Sequence, residues 1–280
     1  MSNGRPLSAL VLLFLLSGAA SSANAAKAGK SPVNSQDCSP LPRELLAGRG
    51  IYVGELHGTR EMPKVLACFV TQALAQTEGS VVVSMELTAE TSPAWAVEWA
   101  HPSDGRTSQA MADLITWLRT LRGKTGRVTI DYQLGCRFDG VPADPDAFGN
   151  RCIGESIKAS MTKGFVIAYG GNSHAARLET PTKRAAAFLP DSIKTVEIMV
   201  SNGGSAWGTY NNSAPGPSPI LGRQDLSGMN GIIPGQDPGF EYAYVIKNIT
   251  ASYPAYTPPS VAQSKTASKP VRKKTSSLGA

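Results

Sequence analysis

Two histidines of this sequence follow apolar segments in the same way, and glycines stand beside each of them. The segment 51–54 leads into Glu55-Leu56-His57-Gly58, and the segment 164–169 leads into Gly170-Gly171-Asn172-Ser173-His174. The chain has three histidines in all, so chance is a poor explanation for two of them in one arrangement. An imidazole can transfer a proton near neutral pH or bind a metal. The repeated pattern therefore predicts one shared site that contains His57 and His174.

Two carboxylates are candidates for the same site. Residues two apart in an extended segment face the same way, so Glu55 and His57 should share one face. A valine-rich segment, 80–87, also ends near an acid, Glu86. Open α/β sheets bind ligands at the carboxyl ends of their strands, and we expect the two acids to meet His57 and His174 there. A purely structural interpretation remains open, in which Glu55 pairs with a basic residue and His57 caps a turn.

Two carboxylates and two imidazoles support two kinds of hydrolytic chemistry. In one, Glu55, His57, Glu86 and His174 bind a divalent metal of the zinc or manganese type, which activates water and polarises a carbonyl. In the other, a carboxylate orients His57, and the imidazole takes a proton from water or from the substrate. The sequence does not separate the two. A serine nucleophile is not predicted, because the chain has no G-x-S-x-G turn.

Three further residues are candidates for substrate binding. Arg60 and Arg177 each lie three residues past a site histidine, and we predict that one of them binds an anionic group of the substrate. The competing interpretation for both arginines is a solvated surface charge. Asn172, in the segment that leads to His174, is the third candidate.

The elements that must position these residues alternate between strands and helices. Strands are predicted at 51–54, 80–87, 127–132, 164–169, 194–200 and 241–247. Helices are predicted at 63–76, at 107–122 with Gly123 as the stop, and around 155–161. The segment 88–106 is predicted to be irregular, and 201–239 to be a long loop or lid with little regular structure. This alternation predicts the α/β class, with a mostly parallel central sheet flanked by helices.

The first residues of the sequence predict an exported protein. Residues 1–25 combine a basic Arg5, a short apolar run and an Ala23-Asn24-Ala25 cleavage signal, as secretory signal peptides do. Residues 26–40 are predicted to be a flexible lead-in, and 41–253 a single α/β domain. No later apolar run is long enough to anchor the chain in a membrane. The predicted location is therefore the periplasm or the outside of the cell.

The basic character of the chain comes from its last residues. The formal charge is +6, and five basic residues but no acid lie within 265–280. The composition of 254–280 is typical of disorder. A specific nucleic-acid partner is therefore not predicted for the domain, although the basic tail could contact an anionic cell envelope. The expected partner of the site is a small-molecule or peptide substrate.

Four cysteines fit an oxidising compartment and predict two disulfides. We pair Cys136 with Cys152, because the loop between them is rich in Gly, Pro and Asp and has little else to hold its shape. Cys38 then pairs with Cys68. A cysteine metal site is the alternative, but no C-x-x-C spacing supports it.

These motifs resemble a known superfamily, which joins erythromycin esterases, ChaN-like haem-uptake proteins and the TraB/Tiki proteins. The resemblance rests on Gly54-Glu55-Leu56-His57-Gly58, on a strand that ends in Glu86, and on Gly171-Asn172-Ser173-His174-Ala175-Ala176-Arg177. It covers roughly residues 45–200 and implies an α/β fold with both acids and both histidines in one pocket.

Members of this superfamily have been described or proposed as metal-dependent proteases, esterases and haem binders, so the fold does not decide the reaction. The resemblance adds an alternative function, a periplasmic protein that binds haem or a metal in this pocket without catalysis. The chain is shorter than an erythromycin esterase and lacks an obvious large helical insertion, which argues against macrolide hydrolysis.

Overall fold

A computed structural model describes residues 38–136, 142–209 and 214–259 of the chain. Its strands are β1 (Gly50–Glu55), β2 (Val81–Thr88), β3 (Val128–Leu134), β4 (Phe165–Gly171), β5 (Ile193–Gly208), β6 (Gly216–Leu221), β7 (Gly231–Pro234) and β8 (Tyr242–Ile249). Its α-helices are α1 (Arg43–Leu46), α2 (Met62–Gln76), α3 (Pro93–Ala100), α4 (Gln109–Thr125), α5 (Pro145–Met161) and α6 (Asn172–Ala175). The strands form one eight-stranded sheet with helices packed on it. The predicted α/β class, with a mostly parallel sheet flanked by helices, is confirmed.

The sheet brings together the strands that carry the candidate site. Its order is β3-β2-β4-β1-β5-β8-β7, with β6 paired to β5. The neighbouring strands in the run β3-β2-β4-β1-β5-β8 are all parallel. β6 is antiparallel to β5, and β7 is antiparallel to β8. β1 and β4 lie side by side, yet the chain leaves β1 toward β2 on one side and leaves β4 toward β5 on the other. This is the reversal of direction at which open α/β sheets bind ligands.

The central strands are covered on both faces, which explains their continuous apolar sequences. Every residue of β1 is buried. Ile51 and Val53 pack in the larger core with α2 and α4, whereas Tyr52 packs in a second core with α5. Successive side chains of a strand lie on opposite faces of the sheet. The polar residues that follow are therefore held at a well-fixed edge.

Two helices differ from their predicted bounds, and a third, α3, was not predicted. α3 occupies part of the segment predicted to be irregular, and the Ser92 side chain caps it by accepting the Ala94 N–H. α4 continues past Gly123 and ends at Gly126, whose left-handed φ of 65° suits glycine. α5 begins at Pro145, well before the predicted start, because Asp144 caps it. In each case a local cap, and not the apolar spacing, sets the boundary.

The segment 201–239 has more regular structure than predicted, so the prediction of little regular structure was wrong. β5 continues to Gly208, and β6 and β7 are both hydrogen-bonded strands. Gly203 and Gly204 have φ values of 92° and 146°, and the register of β5 against β8 shifts beside them. Backbone pairing at such a bend needs glycine and does not need alternating apolar residues. The composition of 201–239 therefore resembles that of a loop. A lid role for this segment stays a prediction.

Both predicted disulfides are confirmed. Cys38–Cys68 ties the chain before α1 to α2, and Cys136–Cys152 ties the end of β3 to α5. Two disulfides fit a chain that folds in an oxidising compartment. No helix in the described ranges is long and apolar enough to cross a membrane.

Most of the predicted terminal segments lie outside the described residues, namely 1–25, all of the lead-in before residue 38, and the tail after residue 259. The start of the predicted tail differs from the expected disorder. The Ala255 N–H donates to the Thr107 carbonyl, and Arg119 of α4 donates to the Pro259 carbonyl at 2.9 Å. These bonds hold 254–259 against the folded domain.

Gly105 lies where three chain segments meet near the candidate site. Its φ is 87°, and a Cβ at this position would lie 2.3 Å from the Trp207 carbonyl oxygen and 2.6 Å from the Gly58 Cα. The Trp207 N–H in turn donates to the Gly58 carbonyl at 2.9 Å. This junction joins the end of β5 to the loop that carries His57.

We expect Gly105→Ala to lower the free energy of unfolding by about 1–3 kcal/mol. Alanine tolerates this φ poorly, and its Cβ has no room. Gly123→Ala is the matched control, since a Cβ at that helical position would contact nothing within 4 Å. Alanine there should raise the free energy of unfolding by up to about 1 kcal/mol. Urea unfolding of both variants measures the difference. A Gly105→Ala protein as stable as the wild type would contradict the close packing.

Candidate functional site

Glu86 lies between the two predicted histidines at the carboxyl edge of the sheet. Its Oε2 is 3.9 Å from His57 Nε2, and its Oε1 is 3.7 Å from His174 Nε2. Both distances exceed that of a hydrogen bond, and an atom of water or of a substrate that lies beside either pair can contact both of its groups. Glu86 is only 8% exposed. The structure thus brings these three predicted residues together around one buried carboxylate.

Two donors hold the Glu86 carboxylate in place. The Gly171 N–H donates to Oε2 at 2.7 Å, and Arg106 Nη1 lies 3.4 Å from Oε1. Arg106 was not predicted from the sequence, because the segment before α4 carries no periodic pattern. Asp104 orients it, accepting from Arg106 Nε at 2.7 Å and from its backbone N–H at 3.1 Å. The Asp-x-Arg spacing is the only sequence signal that indicates this turn.

Glu55 orients His57 from the side opposite Glu86. Its Oε1 accepts from His57 Nδ1 at 2.8 Å, and the Tyr169 hydroxyl donates to its Oε2. Burial alone would lower the pKa of His57, but the hydrogen bond and charge of Glu55, with the charge of Glu86, raise it to about 9. His57 is therefore an imidazolium at neutral pH. The partner of Glu55 is this histidine and not a lysine or arginine.

His174 has the opposite protonation behaviour. Its Nδ1 lies 2.9 Å from Asn150 Oδ1, which also accepts the Ala185 N–H at 2.9 Å. An oxygen that already accepts one N–H fixes the direction of the other bond, so Nδ1 donates and Nε2 keeps its lone pair. Burial lowers the pKa of His174; the charge of Glu86 opposes this, while the charges of His57 and Arg106 add to it.

The two imidazoles therefore face one carboxylate in different states, one charged and one neutral. Groups whose surroundings move their pKa values apart are the usual pair of acid and base. Gly171 lies against both rings and the carboxylate. A Cβ at Gly171 would lie 3.3 Å from His57 Nε2 and 3.7 Å from Glu86 Oε2, so the absence of a side chain leaves these two atoms uncovered on this side.

The predicted substrate-binding residues take different positions. The Arg60 side chain is exposed and donates to the Ala251 carbonyl at 3.2 Å. Arg177 donates to the carbonyls of Leu189 and Ile193 at 2.7 and 2.8 Å. These bonds tie chain segments together and give each guanidinium a structural role. Asn172 lies next to Gly171 and lines a cavity beside the cluster.

The four predicted metal ligands make other contacts in this structure. In the described parts of the chain, no group of three or more His, Cys, Asp and Glu residues is arranged to hold a metal ion. Both oxygens of Glu55 already have partners, and Arg106 already places a positive charge beside Glu86. As placed, these residues do not fit a resident metal. Metal binding by Glu55, His57, Glu86 and His174 stays a prediction that a measurement must decide.

Comparison with known proteins shows the fold of this chain. No protein-family model and no curated protein matches the sequence. The crystal structure of a Bacillus cereus protein matches with a TM-score of 0.56 and 12% identity, over 80% of this chain and 94% of that one. A succinoglycan biosynthesis protein matches with a TM-score of 0.52 and 10% identity, over 76% of this chain and 91% of that one. Such distant likeness establishes a shared fold alone.

The charge of Glu55 should make the stability of the protein depend on pH. A histidine with a raised pKa stabilises the fold fully below its ordinary pKa of 6.5, and this contribution is lost as pH rises through about 9. We expect a loss of up to about 3 kcal/mol between pH 7 and 9.5 in the wild type. In Glu55→Gln the loss should be much smaller, because the amide carries no charge. Urea unfolding at several pH values measures both curves.

The control for this measurement is Glu179→Gln, which removes an exposed carboxylate paired with Lys183. Its curve should run parallel to that of the wild type. His174, with a lowered pKa, changes charge below this range, and Glu197, with a pKa of about 7, changes charge at its lower end to the same extent in the wild type and in Glu55→Gln. Parallel curves for Glu55→Gln and the wild type would contradict the assigned charge of His57.

Proposed function

We propose that this protein is an exported hydrolase of ester or amide bonds, and that it belongs with the superfamily of erythromycin esterases, ChaN-like proteins and TraB/Tiki proteins. One observation carries the proposal: Glu86 stands between a neutral and a charged imidazole across gaps of 3.7 and 3.9 Å. Hydrolysis needs a base that activates water and an acid that protonates the leaving group. The predicted signal peptide and the two disulfides support export.

In this proposal, His174 acts as the general base. Its Nδ1–H is held by Asn150, so Nε2 is the nitrogen that can accept a proton. A water molecule beside His174 and Glu86, in contact with both, would lose a proton to Nε2 as its oxygen attacks the substrate carbonyl carbon. Glu86 stabilises the imidazolium that forms, because an opposite charge at this distance favours the protonated ring. The lowered pKa of His174 keeps it available as a base at neutral pH.

His57 acts as the general acid on the other side of the same carboxylate. It is charged at neutral pH, and Glu55 holds its Nδ1–H, so Nε2–H faces Glu86 and the gap. That proton passes to the leaving oxygen or nitrogen when the tetrahedral intermediate breaks down. In this proposal Arg106, with a side chain 23% exposed, stabilises negative charge on the carbonyl oxygen. After proton transfer to and from water, both imidazoles return to their starting states.

A divalent metal and haem remain separate predictions from the family resemblance. The side chains as placed do not fit a resident metal, so we route no step through one. Elemental analysis of the exported protein, purified without chelator, tests the metal. Haem titration, read as a Soret band, tests the alternative function of binding without catalysis.

We expect Glu86→Gln to lower kcat/KM at least a hundredfold, because the amide cannot balance the charge on either imidazole. The assay uses chromogenic p-nitrophenyl esters and fluorogenic peptide amides, with and without EDTA. Glu179→Gln, which also exchanges a carboxylate for an amide, is the control and should retain full activity. Turnover of no substrate by the wild type, with or without added Zn²⁺ or Mn²⁺, would contradict the proposed function.

Gly171→Ala tests the same site without removing a charge. The backbone at Gly171 has φ −58° and ψ 143°, which alanine adopts readily. The new methyl group would cover His57 Nε2 and Glu86 Oε2, so we expect a folded protein with strongly reduced activity. Gly149→Ala in α5 is its control, since a Cβ there contacts nothing within 4 Å. Full activity in Gly171→Ala would place the reaction away from His57 Nε2 and Glu86 Oε2.

A further inference from the structure

A cavity of about 190 Å³ adjoins the cluster and has no role in the mechanism above. Two of its lining residues connect it to the cluster. Leu56 lies between Glu55 and His57 in the sequence, and Asn172 follows the Gly171 N–H that binds Glu86. A cavity of about 150 Å³ can hold a benzene ring, so this one has room for a group the size of a side chain.

Two hydrogen-bond acceptors of this cavity are buried without a donor. Glu197 is 7% exposed, and within the described residues its Oε2 accepts no hydrogen bond. The same holds for Oδ1 of Asn172. The two residues stand close together, because Glu197 is paired in register with Gly54, and a Cβ at Gly54 would lie 2.5 Å from Asn172 Oδ1. Buried acceptors of this kind cost free energy unless a ligand or water supplies donors.

The charges around the cavity favour a positive ligand. Among the described residues that line it, Arg223 alone is basic, and this guanidinium already binds Asp237 at 2.9 Å and Asp225 at 2.8 Å. The carboxyl groups of Glu197 and Asp237 interact with each other. Burial, followed by this interaction, raises the pKa of Glu197 to about 7. Two facing carboxyl groups share a proton or hold a cation between them.

The remaining walls are apolar. Met62, Ile198 and Ile220 line the cavity, and Leu221, at its edge on β6, is 93% exposed. An isolated leucine at the surface needs no explanation, but this one continues an apolar wall outward from the cavity. The lining as a whole combines an acidic end with an apolar body.

From this geometry we propose that the cavity binds an ammonium group carried on a short apolar chain, with Glu197 and Asn172 as its acceptors. The inference rests on the proposed function, since it assigns the cavity as the pocket that receives one side of the hydrolysed substrate. The predicted substrates are therefore esters or amides that carry a primary amine on an aliphatic or aromatic group.

The test measures binding without catalysis. The full chain with Glu86→Gln is titrated with n-butylammonium, with the isosteric n-butanol and with butyrate, and binding is followed by calorimetry. We expect n-butylammonium to bind at least tenfold more tightly than n-butanol, and butyrate not to bind. Adding Glu197→Gln should weaken the binding of n-butylammonium at least tenfold and leave the binding of n-butanol unchanged. Adding Glu179→Gln should change the binding of neither.

A second variant, Asn172→Ala, keeps the test decisive if Glu197→Gln lowers the melting temperature. It removes the other acceptor and should weaken the binding of n-butylammonium but not that of n-butanol. Equal binding of n-butylammonium and n-butanol, or binding of Ca²⁺ in place of the ammonium, would overturn the inference. Because binding is measured in an inactive variant, a failed hydrolysis screen would leave this result standing. Conversely, active hydrolysis without preference for amine-bearing substrates would overturn the inference and leave the proposed function standing.

Discussion

A buried carboxylate needs partners, and the arrangement of this site follows from the partners that Glu86 has. Removing an ionised carboxyl group from water is costly unless hydrogen bonds and opposite charges replace the water. Here the Gly171 N–H, the Arg106 guanidinium and two imidazoles surround it. They come from three parts of the chain, since Gly171 and His174 lie together at the end of β4 and in the short helix that follows it. The neighbouring positions of β2, β4 and β1 in the sheet bring these parts to one place.

The partners of the two imidazoles then separate their roles. His57 has a carboxylate behind its ring, and His174 has an amide oxygen in the equivalent position. A carboxylate stabilises a positive ring and an amide does not, so the same side chain becomes an acid in one place and a base in the other. Tyr169 adds to this by holding the second oxygen of Glu55. The supporting residues are therefore as important to the chemistry as the histidines.

The sequence predicts this fold well, because β1, β2 and β4 are covered on both faces and need continuous apolar runs. It also predicts Glu55, His57, Glu86 and His174, since each directly follows or ends such a run. Arg106 and Asn150 could not be found in this way. Arg106 lies in a turn, and Asn150 lies on α5, and only the packing of distant segments brings either toward a histidine. The bounds of α4 and α5 depend on caps, and β6 and β7 depend on backbone pairing. The spacing of apolar residues predicts neither.

The most direct test of the account is the protonation of the individual histidines, followed by NMR of the imidazole nitrogens in the intact protein. The chain has three histidines, and variants of each assign the signals. We expect His57 to stay protonated until pH about 9 and His174 to lose its proton below the ordinary pKa of 6.5. Neutral His174 should carry its proton on Nδ1. If both rings titrated together near 6.5, the division into acid and base around Glu86 would be contradicted.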